Sequence, residues 1–178
     1  MKKYLLQFKP FLIFMGTFFA AYIGLTVIYK LYLNSFVAND IDGITTIISR
    51  NVEQLMHLFT ADIKVIKSVS GPYTEVWYNN RFTIRIVEGC NAVSVIILFV
   101  SFVLAFSGKF KTTLLFILFG IALIYVMNVI RIGLLTVLLY HFHQQEHLLH
   151  GVLFPLIIYG LVFSLWVFWV NKFSKYAK

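Results

Sequence analysis

Three groups that carry covalent chemistry stand out in this chain: a thiol, a guanidinium inside an apolar run, and an imidazole beside another apolar run. Cys90, the only cysteine, lies where an alternating polar segment ends and an apolar run begins. Arg131 lies within a long apolar run, where a charged side chain is costly and usually functional. His150 immediately precedes the last apolar run. In thiolate acyl transfer, a thiol is the nucleophile and an imidazole is the general acid and base. A guanidinium stabilises the oxyanion or binds the substrate.

Each of these residues also has a structural explanation. A lone cysteine at a helix end is most often a small buried hydrophobe. Arg131 is alternatively an interfacial residue whose charged head snorkels out of the apolar layer. Asn128, one turn earlier on the same helix face, either holds the guanidinium or forms a hydrogen bond with a neighbouring helix.

The histidines are ambiguous, because four of them crowd one stretch together with Glu146. That density also suits a metal ion, but ligands so close in sequence need a tight turn, and no remote carboxylate or cysteine pair supports them. We therefore predict no metal and no cofactor. The better candidate for a general base is the histidine that abuts the apolar run, and the alternative is His147. The four residues are His141, His143, His147 and His150.

The composition predicts an integral membrane protein. Apolar residues make up 60% of the 178 residues and charged residues only 12%, and the mean hydropathy is +0.86. The net charge of +8 comes from basic residues at the edges of the apolar runs. Such a placement orients a protein in a bilayer and does not form a phosphate-binding stripe, so we predict no nucleic-acid partner.

The apolar runs predict four transmembrane helices, of which the second is close to the lower length limit for a span. Arg131 then lies about 28 Å along the third helix from Thr112, at 1.5 Å per residue, and so near the same membrane boundary as Cys90 and His150. The runs are residues 11–33, 91–106, 112–140 and 151–170. The predicted parts are an N-terminal helix (1–33), an extracytoplasmic insert (34–89) and a three-helix membrane core (90–178).

With four spans, both termini and the connection between the second and third spans lie on the same side of the membrane. The basic residues are concentrated on that side. By the positive-inside rule that side is cytoplasmic, so the insert and a short loop of residues 141–150 face outward. The basic residues are Lys2, Lys3, Lys9, Lys109, Lys111, Lys172, Lys175 and Lys178.

The insert is predicted to be a small α+β unit. After Asp42, a helix N-cap candidate, apolar residues recur at helical spacing up to Phe59. Strands are predicted at residues 63–69 and 75–78. Asn79 and Asn80 suit a two-residue turn with positive φ that leads into a third strand at residues 81–87.

Three short motifs, in this order, resemble the exosortase/archaeosortase family of membrane cysteine transpeptidases. They are Glu88-Gly-Cys90 before one span, Asn128-Val-Ile-Arg131 inside the next, and His150-Gly151 at the start of the last. The resemblance runs from about Arg81 to the C terminus, and the short four-span layout is most similar to the exosortase F type. One departure is that many members follow the cysteine with a small residue and glycine, where this chain has Asn91 and Ala92.

The resemblance implies a bacterial inner-membrane enzyme that cleaves a C-terminal sorting tail from exported proteins and transfers the acyl group to an outer-face acceptor. Cys90 would be the nucleophile, His150 the general acid and base, and Arg131 the cation at the transition state or substrate. The expected substrate-binding residues are Asn128, Glu88 and His147. The expected partners are the tailed membrane-anchored substrate, the lipid bilayer, an acceptor of unknown chemistry and, since larger relatives have more spans, a second copy of the chain.

Two other functional classes stay open at this level. One is a non-catalytic membrane scaffold or assembly subunit whose polar residues bind helices together. The other is a metal-binding or haem-binding membrane protein that uses the loop at residues 141–150. Arg81 and Arg85 would line the entrance of an active site, or they are solvated charges of a strand.

Overall fold

The computed structural model describes residues 2–36, 40–59, 62–106 and 108–173, and residues 2–7 by their backbone alone. Lys175 and Lys178, on which the predicted orientation partly depends, lie outside these ranges. The elements are α1 (Lys2–Leu33), α2 (Gly43–Leu58), β1 (Ile63–Lys67), β2 (Tyr73–Tyr78), β3 (Arg81–Val87), α3 (Val93–Ala105), α4 (Phe110–His141) and α5 (Phe154–Lys172).

Three helices in the described part of the chain are long and apolar enough to cross a membrane: Phe8–Leu33, Phe110–His141 and His143–Lys172. The chain is therefore a mainly α membrane protein with a small sheet, as its composition predicts. The predicted span at residues 91–106 is only partly helical. Its helix, α3, has 13 residues, which is about 20 Å and shorter than a hydrocarbon core of about 30 Å. Four spans are thus not established.

The insert folds as its local signals predict. The Asp42 carboxylate caps α2 by accepting a hydrogen bond from the Thr45 N–H at 3.0 Å. The three strands form an antiparallel sheet in the order β1-β2-β3. Asn79 and Asn80 connect β2 to β3 with φ angles of 49° and 58°, the left-handed region that asparagine tolerates in tight turns.

The insert and the second half of α4 share one hydrophobic core. α2 contributes Ile48 and Val52, both fully buried, and β3 contributes Ile84 and Ile86. These side chains pack with the buried α4 residues of the same cluster, which are Val129, Ile132, Leu135 and Leu139. The insert is therefore held on α4 by side-chain packing along with its chain connections.

A second core holds the membrane helices together at the other end of α4. Phe99 of α3 is fully buried and lies against Gly120 of α4. Trp169 of α5 is also fully buried, and its indole N–H donates to the Phe106 carbonyl at 3.2 Å. α1 joins the bundle through aromatic contacts such as that between Phe14 and Phe106, whose ring centroids are 4.4 Å apart.

Replacing Gly120 with alanine is expected to lower the thermal unfolding midpoint of the purified protein. A Cβ at this position would lie 2.2 Å from Cζ of the fully buried Phe99 ring, and such overpacking costs about 1–3 kcal/mol. Gly160→Ala is the matched control, because a Cβ there meets no atom within 4 Å. Equal midpoints for the two variants would contradict the close approach of α3 and α4.

The predicted loop at residues 141–150 is wrong, because α4 extends to His141 and most of the stretch that follows is helical. Residues 143–153, here called the histidine segment, comprise a 3₁₀ turn (His143–Gln145), an α-turn (Glu146–Leu148) and a π-turn (Leu149–Leu153) that continues into α5. Pro155 accounts for the wider π-turn. Proline has no N–H, and its ring clashes with the carbonyl four residues earlier, here that of Gly151, unless the helix widens.

Candidate active site

Cys90 is the last residue of a 3₁₀ turn, Glu88–Cys90, that joins β3 to α3. Its side chain is half-buried and its thiol is free. The turn places the cysteine directly after an edge strand and just before the first turn of a membrane helix. A thiol in this position is open to a cavity on one side and supported by packed elements on the other.

Asn91 fixes the residues on both sides of the cysteine. Its side-chain oxygen accepts from the Val93 N–H at 3.0 Å, and its amide donates to the Tyr29 hydroxyl at 2.7 Å. The Tyr29 hydroxyl in turn donates to a Glu88 carboxylate oxygen at 2.9 Å. Tyr29 thereby connects α1 to the residue after Cys90 and to the residue that opens its turn.

The departure from the family pattern at Ala92 has a structural counterpart. Ala92 adopts a left-handed backbone with φ of 59° and is buried. This is the conformation that glycine adopts without strain, and a non-glycine residue there costs about 1–2 kcal/mol. Such strain is often stored at functional sites. Alanine thus occupies the glycine position of the pattern while its backbone has the geometry that favours glycine.

Asn128 bridges the cysteine turn and the cation. The side chain is fully buried on α4, and its amide donates to the Cys90 carbonyl at 2.8 Å. Its oxygen accepts from Nη1 of Arg131 at 3.3 Å. Both sides of the Asn128 amide are therefore occupied within the protein, and the bridge sets the position of the guanidinium relative to the cysteine backbone.

The guanidinium of Arg131 retains free donors. Its Nε is buried and has no hydrogen-bond partner among the described residues, and its Nη1 donates to Asn128. Within the same part of the chain, the single ion pair is that of Lys67 with Asp40 and does not involve Arg131. A cation without a carboxylate partner beside a cavity is suited to bind an anionic or partly negative oxygen.

Cys90, Arg131 and His150 line one cavity of about 330 Å³. Its walls are the edge of β3, one face of α4 and one face of the histidine segment. The volume falls at the lower end of the range for ligand pockets, about 300–1,000 Å³. The remaining lining residues are Phe82, Thr83, Ile84, Arg85, Ile86, Ile132, Leu135, Leu139, His143 and Glu146.

The other predicted site residues lie outside this cavity. Asn128 is buried behind it, Glu88 is bound by Tyr29, and His147 is exposed on a different face of the histidine segment. Their role in substrate binding stays a prediction. Arg85 lines the cavity, whereas Arg81 lines a neighbouring one.

Sequence reasoning missed His143 and Glu146 as cavity residues, because it considered them only as part of a metal-binding loop. They lie at positions i and i+3 relative to His150 at i+7, which is the spacing of one helix face. Interpreting the stretch as helical would have found them. In the described part of the chain, no three His, Cys, Asp or Glu side chains form a group that could hold a metal ion.

Removing the Tyr29 hydroxyl is expected to make Cys90 more reactive. Tyr29→Phe breaks two hydrogen bonds around the cysteine turn, each with a net value of about 0.5–1.5 kcal/mol. Opening of the turn should then raise the rate of maleimide labelling about fivefold. Because Cys90 is the only cysteine, labelling followed by mass spectrometry reports this site alone.

Tyr32→Phe is the control for this measurement. Tyr32 stacks beside Tyr29 with ring centroids 6.2 Å apart, and its hydroxyl forms no hydrogen bond within the described residues. Labelling that is equally fast in both variants would show that Tyr29 does not hold the turn.

A family model described as transmembrane exosortase matches residues 11–171 of the chain. The match extends beyond the region from about residue 81 that carries the three motifs, and it includes the first membrane helix and the insert. No curated protein and no solved structure matches the chain.

Proposed function

Because the chain belongs to the transmembrane exosortase family, we propose that it is a membrane cysteine peptidase and transpeptidase for exported proteins with a C-terminal sorting tail. The observation that carries the proposal is that Cys90, Arg131 and His150, from three different elements, line one cavity. The substrate's own membrane helix would hold the cleavage point at a fixed depth. If the reactive groups lie at that same depth, the anchored cleavage point is held next to them in a position to react.

In the first step, the Cys90 sulfur attacks the carbonyl carbon of the scissile peptide bond while His150 accepts the thiol proton. The free donors of Arg131 bind the oxyanion that forms. The C–N bond then breaks, and the amine of the departing membrane tail takes the proton from His150. The exported part of the substrate remains as a thioester on Cys90.

In the second step, a nucleophilic group of the acceptor attacks the thioester carbonyl. His150 accepts the proton of that group and returns it to the departing Cys90 sulfur, which restores the free enzyme. Water in place of the acceptor gives hydrolysis instead of transfer. The chemistry therefore needs no group beyond the residues that line the cavity and the acceptor itself.

The proposal includes four spans in a bacterial inner membrane, with both termini cytoplasmic and the cavity on the periplasmic side. α3 would cross where the bilayer thins to its length. Contacts of Phe14 with Phe106 and of Phe116 with Phe173 support this orientation, because they bring the basic ends of four helices together, away from the cavity. The lysines at that end are Lys9, Lys109, Lys111 and Lys172.

The test is a tail-processing assay in a bacterial host. The chain is co-expressed with an exported reporter protein that ends in a candidate tail: a short motif, a membrane helix and a basic cluster. Immunoblotting measures shortening of the reporter, and mass spectrometry of its new C terminus separates acceptor transfer from hydrolysis. The candidate tails are taken from proteins encoded by genes that neighbour the gene for this chain. A reporter that stays full-length with every one of these tails would refute the proposal and favour a scaffold.

His150→Ala is expected to slow tail processing by about 10²-fold, within the usual range for a general acid and base. His147→Ala is the matched control, since His147 is exposed, lies in the same segment and does not line the cavity. We expect it to slow processing far less than His150→Ala, because the role predicted for His147 is a substrate contact and not proton transfer. The reverse order of effects would transfer the acid and base role to His147.

A further inference from the structure

The third strand of the sheet has an unpaired edge. In the order β1-β2-β3, the strand Arg81–Val87 pairs with β2 and with no other described strand. No backbone hydrogen bond joins it to a turn, loop or helix within the described residues. Along such an edge, every second residue leaves its N–H and C=O without a partner. The edge is therefore a template for one more strand.

This edge borders the cavity that contains Cys90. Five consecutive residues, from Phe82 to Ile86, line the cavity. The β2–β3 register has a β-bulge at Thr83, so regular alternation holds from Ile84 onward. Ile84, Arg85 and Ile86 point alternately to opposite faces of the sheet, so a cavity lined by all three meets the strand along its edge. The five residues span about 16 Å at about 3.3 Å each, and the same chain continues directly into the cysteine turn.

The strand runs from the distal end of α4 toward the cysteine. Tyr78, just before β3, contacts Tyr140 with ring centroids 5.0 Å apart. At the other end of the strand, the Cys90 carbonyl accepts from Asn128. β3 therefore descends antiparallel to α4 over about 18 Å, at 1.5 Å per α4 residue from Tyr140 to Asn128.

A tailed substrate of the kind proposed above would run in the same direction. Its folded part lies outside the membrane, its motif follows, and its membrane helix comes last. The chain thus passes from outside to inside, as β3 and α3 do. A cavity of about 330 Å³ between β3, α4 and the histidine segment has room for one extended segment, not for the sheet of a second copy.

We infer that the segment of the tail that precedes its membrane helix binds as a fourth strand, parallel to β3 along its free edge. This inference rests on the proposed function and adds how the substrate is recognised. Main-chain hydrogen bonds supply affinity with little dependence on sequence, and side chains facing the cavity supply specificity. The register of pairing between the tail and β3 places the scissile bond at Cys90.

Disulfide cross-linking tests the pairing without catalysis. Cys90→Ala leaves a cysteine-free chain, into which Arg85→Cys or Val87→Cys is introduced singly; both residues are exposed and lie in the regular part of β3 beyond the bulge. The probe is the exported reporter with a candidate tail, carrying single cysteines at successive positions before its membrane helix. The preferred tail partner should move by two residues toward the membrane helix from Arg85→Cys to Val87→Cys, which gives a two-residue ladder.

Lys64→Cys in the same background is the matched control. Lys64 is exposed on β1, at the opposite edge of the sheet, and should cross-link at least tenfold less. Equal yields at the two edges, absence of a two-residue ladder, or a ladder of the opposite direction would each overturn parallel pairing. The ladder is informative whether or not the wild-type chain processes the reporter, so failure of this inference is distinct from failure of the proposed function.

A proline scan of the reporter supplies a second measurement with the unmodified chain. Proline lacks the N–H that a strand donates. Parallel pairing predicts that prolines at every second tail position block processing while those between them are tolerated. A processed reporter whose proline sensitivity has no two-residue period would overturn the inference even if cysteine variants of β3 failed to fold.

Discussion

Cys90→Ala and Cys90→Ser are each expected to slow tail processing by at least about 10³-fold, because they remove the nucleophile that forms the thioester. The serine variant keeps the size of the side chain and replaces sulfur with a much weaker nucleophile. The initial rate of reporter shortening, normalised to the amount of enzyme in the membrane, measures the effect.

Folding should be unaffected by these substitutions. The hydrogen bonds that hold the turn use the Cys90 backbone carbonyl and the side chains of Asn91 and Tyr29, not the thiol. The Cys90 side chain packs at the margin of the core, and serine keeps its size. The thermal unfolding midpoint of each variant provides the control. Wild-type processing by both variants would eliminate the thiol mechanism and leave the scaffold as the better function.

Arg131→Met is expected to reduce processing by about 10³-fold, at the upper end of the effect of removing an oxyanion donor. Arg131→Lys keeps the charge but loses the planar fork, so it should recover only part of the rate. The comparison of these two variants in the tail-processing assay separates charge from geometry.

Arg131→Met should change stability little, because two effects oppose each other. The substitution removes a buried Nε without a partner in the described part of the chain, but it leaves the fully buried Asn128 oxygen without the donor that Nη1 supplied, and an unsatisfied buried group costs about 1–3 kcal/mol. An unfolding midpoint for Arg131→Met close to the wild-type value, together with a large loss of activity, is the expected pattern. Processing within threefold of wild type would remove Arg131 from the mechanism.

Features of the fold that depend on neighbours in sequence were predictable. Asp42 predicts a helix start and the Asn79-Asn80 pair predicts a tight turn, because a cap or a turn depends on a few adjacent residues. The alternation over residues 81–87 likewise predicts β3. The helix rise predicted that Arg131 lies near the same membrane boundary as Cys90 and His150. In the structure these three residues line one cavity. Their chemical roles stay predictions.

Features that depend on distant contacts were not predictable. Hydropathy marks apolar residues but not helix ends, so it could not show that Asn91 and Ala92 belong to a turn and shorten α3. Polar residues between two apolar runs are typical of a loop, so the helical histidine segment was missed. The free edge of β3 is a property of strand order, which the alternation of one strand cannot reveal.

The core that the insert shares with α4 has a consequence for engineering. Ile84 and Ile86 belong to the same hydrophobic core as Ile132 and Leu135, so the spacing between β3 and the proposed catalytic residues is set by side chains that pack together from the insert and from α4. A chimera that exchanges residues 34–89 alone between two members of the family would misalign β3 and α4. The proposed substrate specificity should be transferred only when the insert is exchanged together with the α4 residues on which it packs.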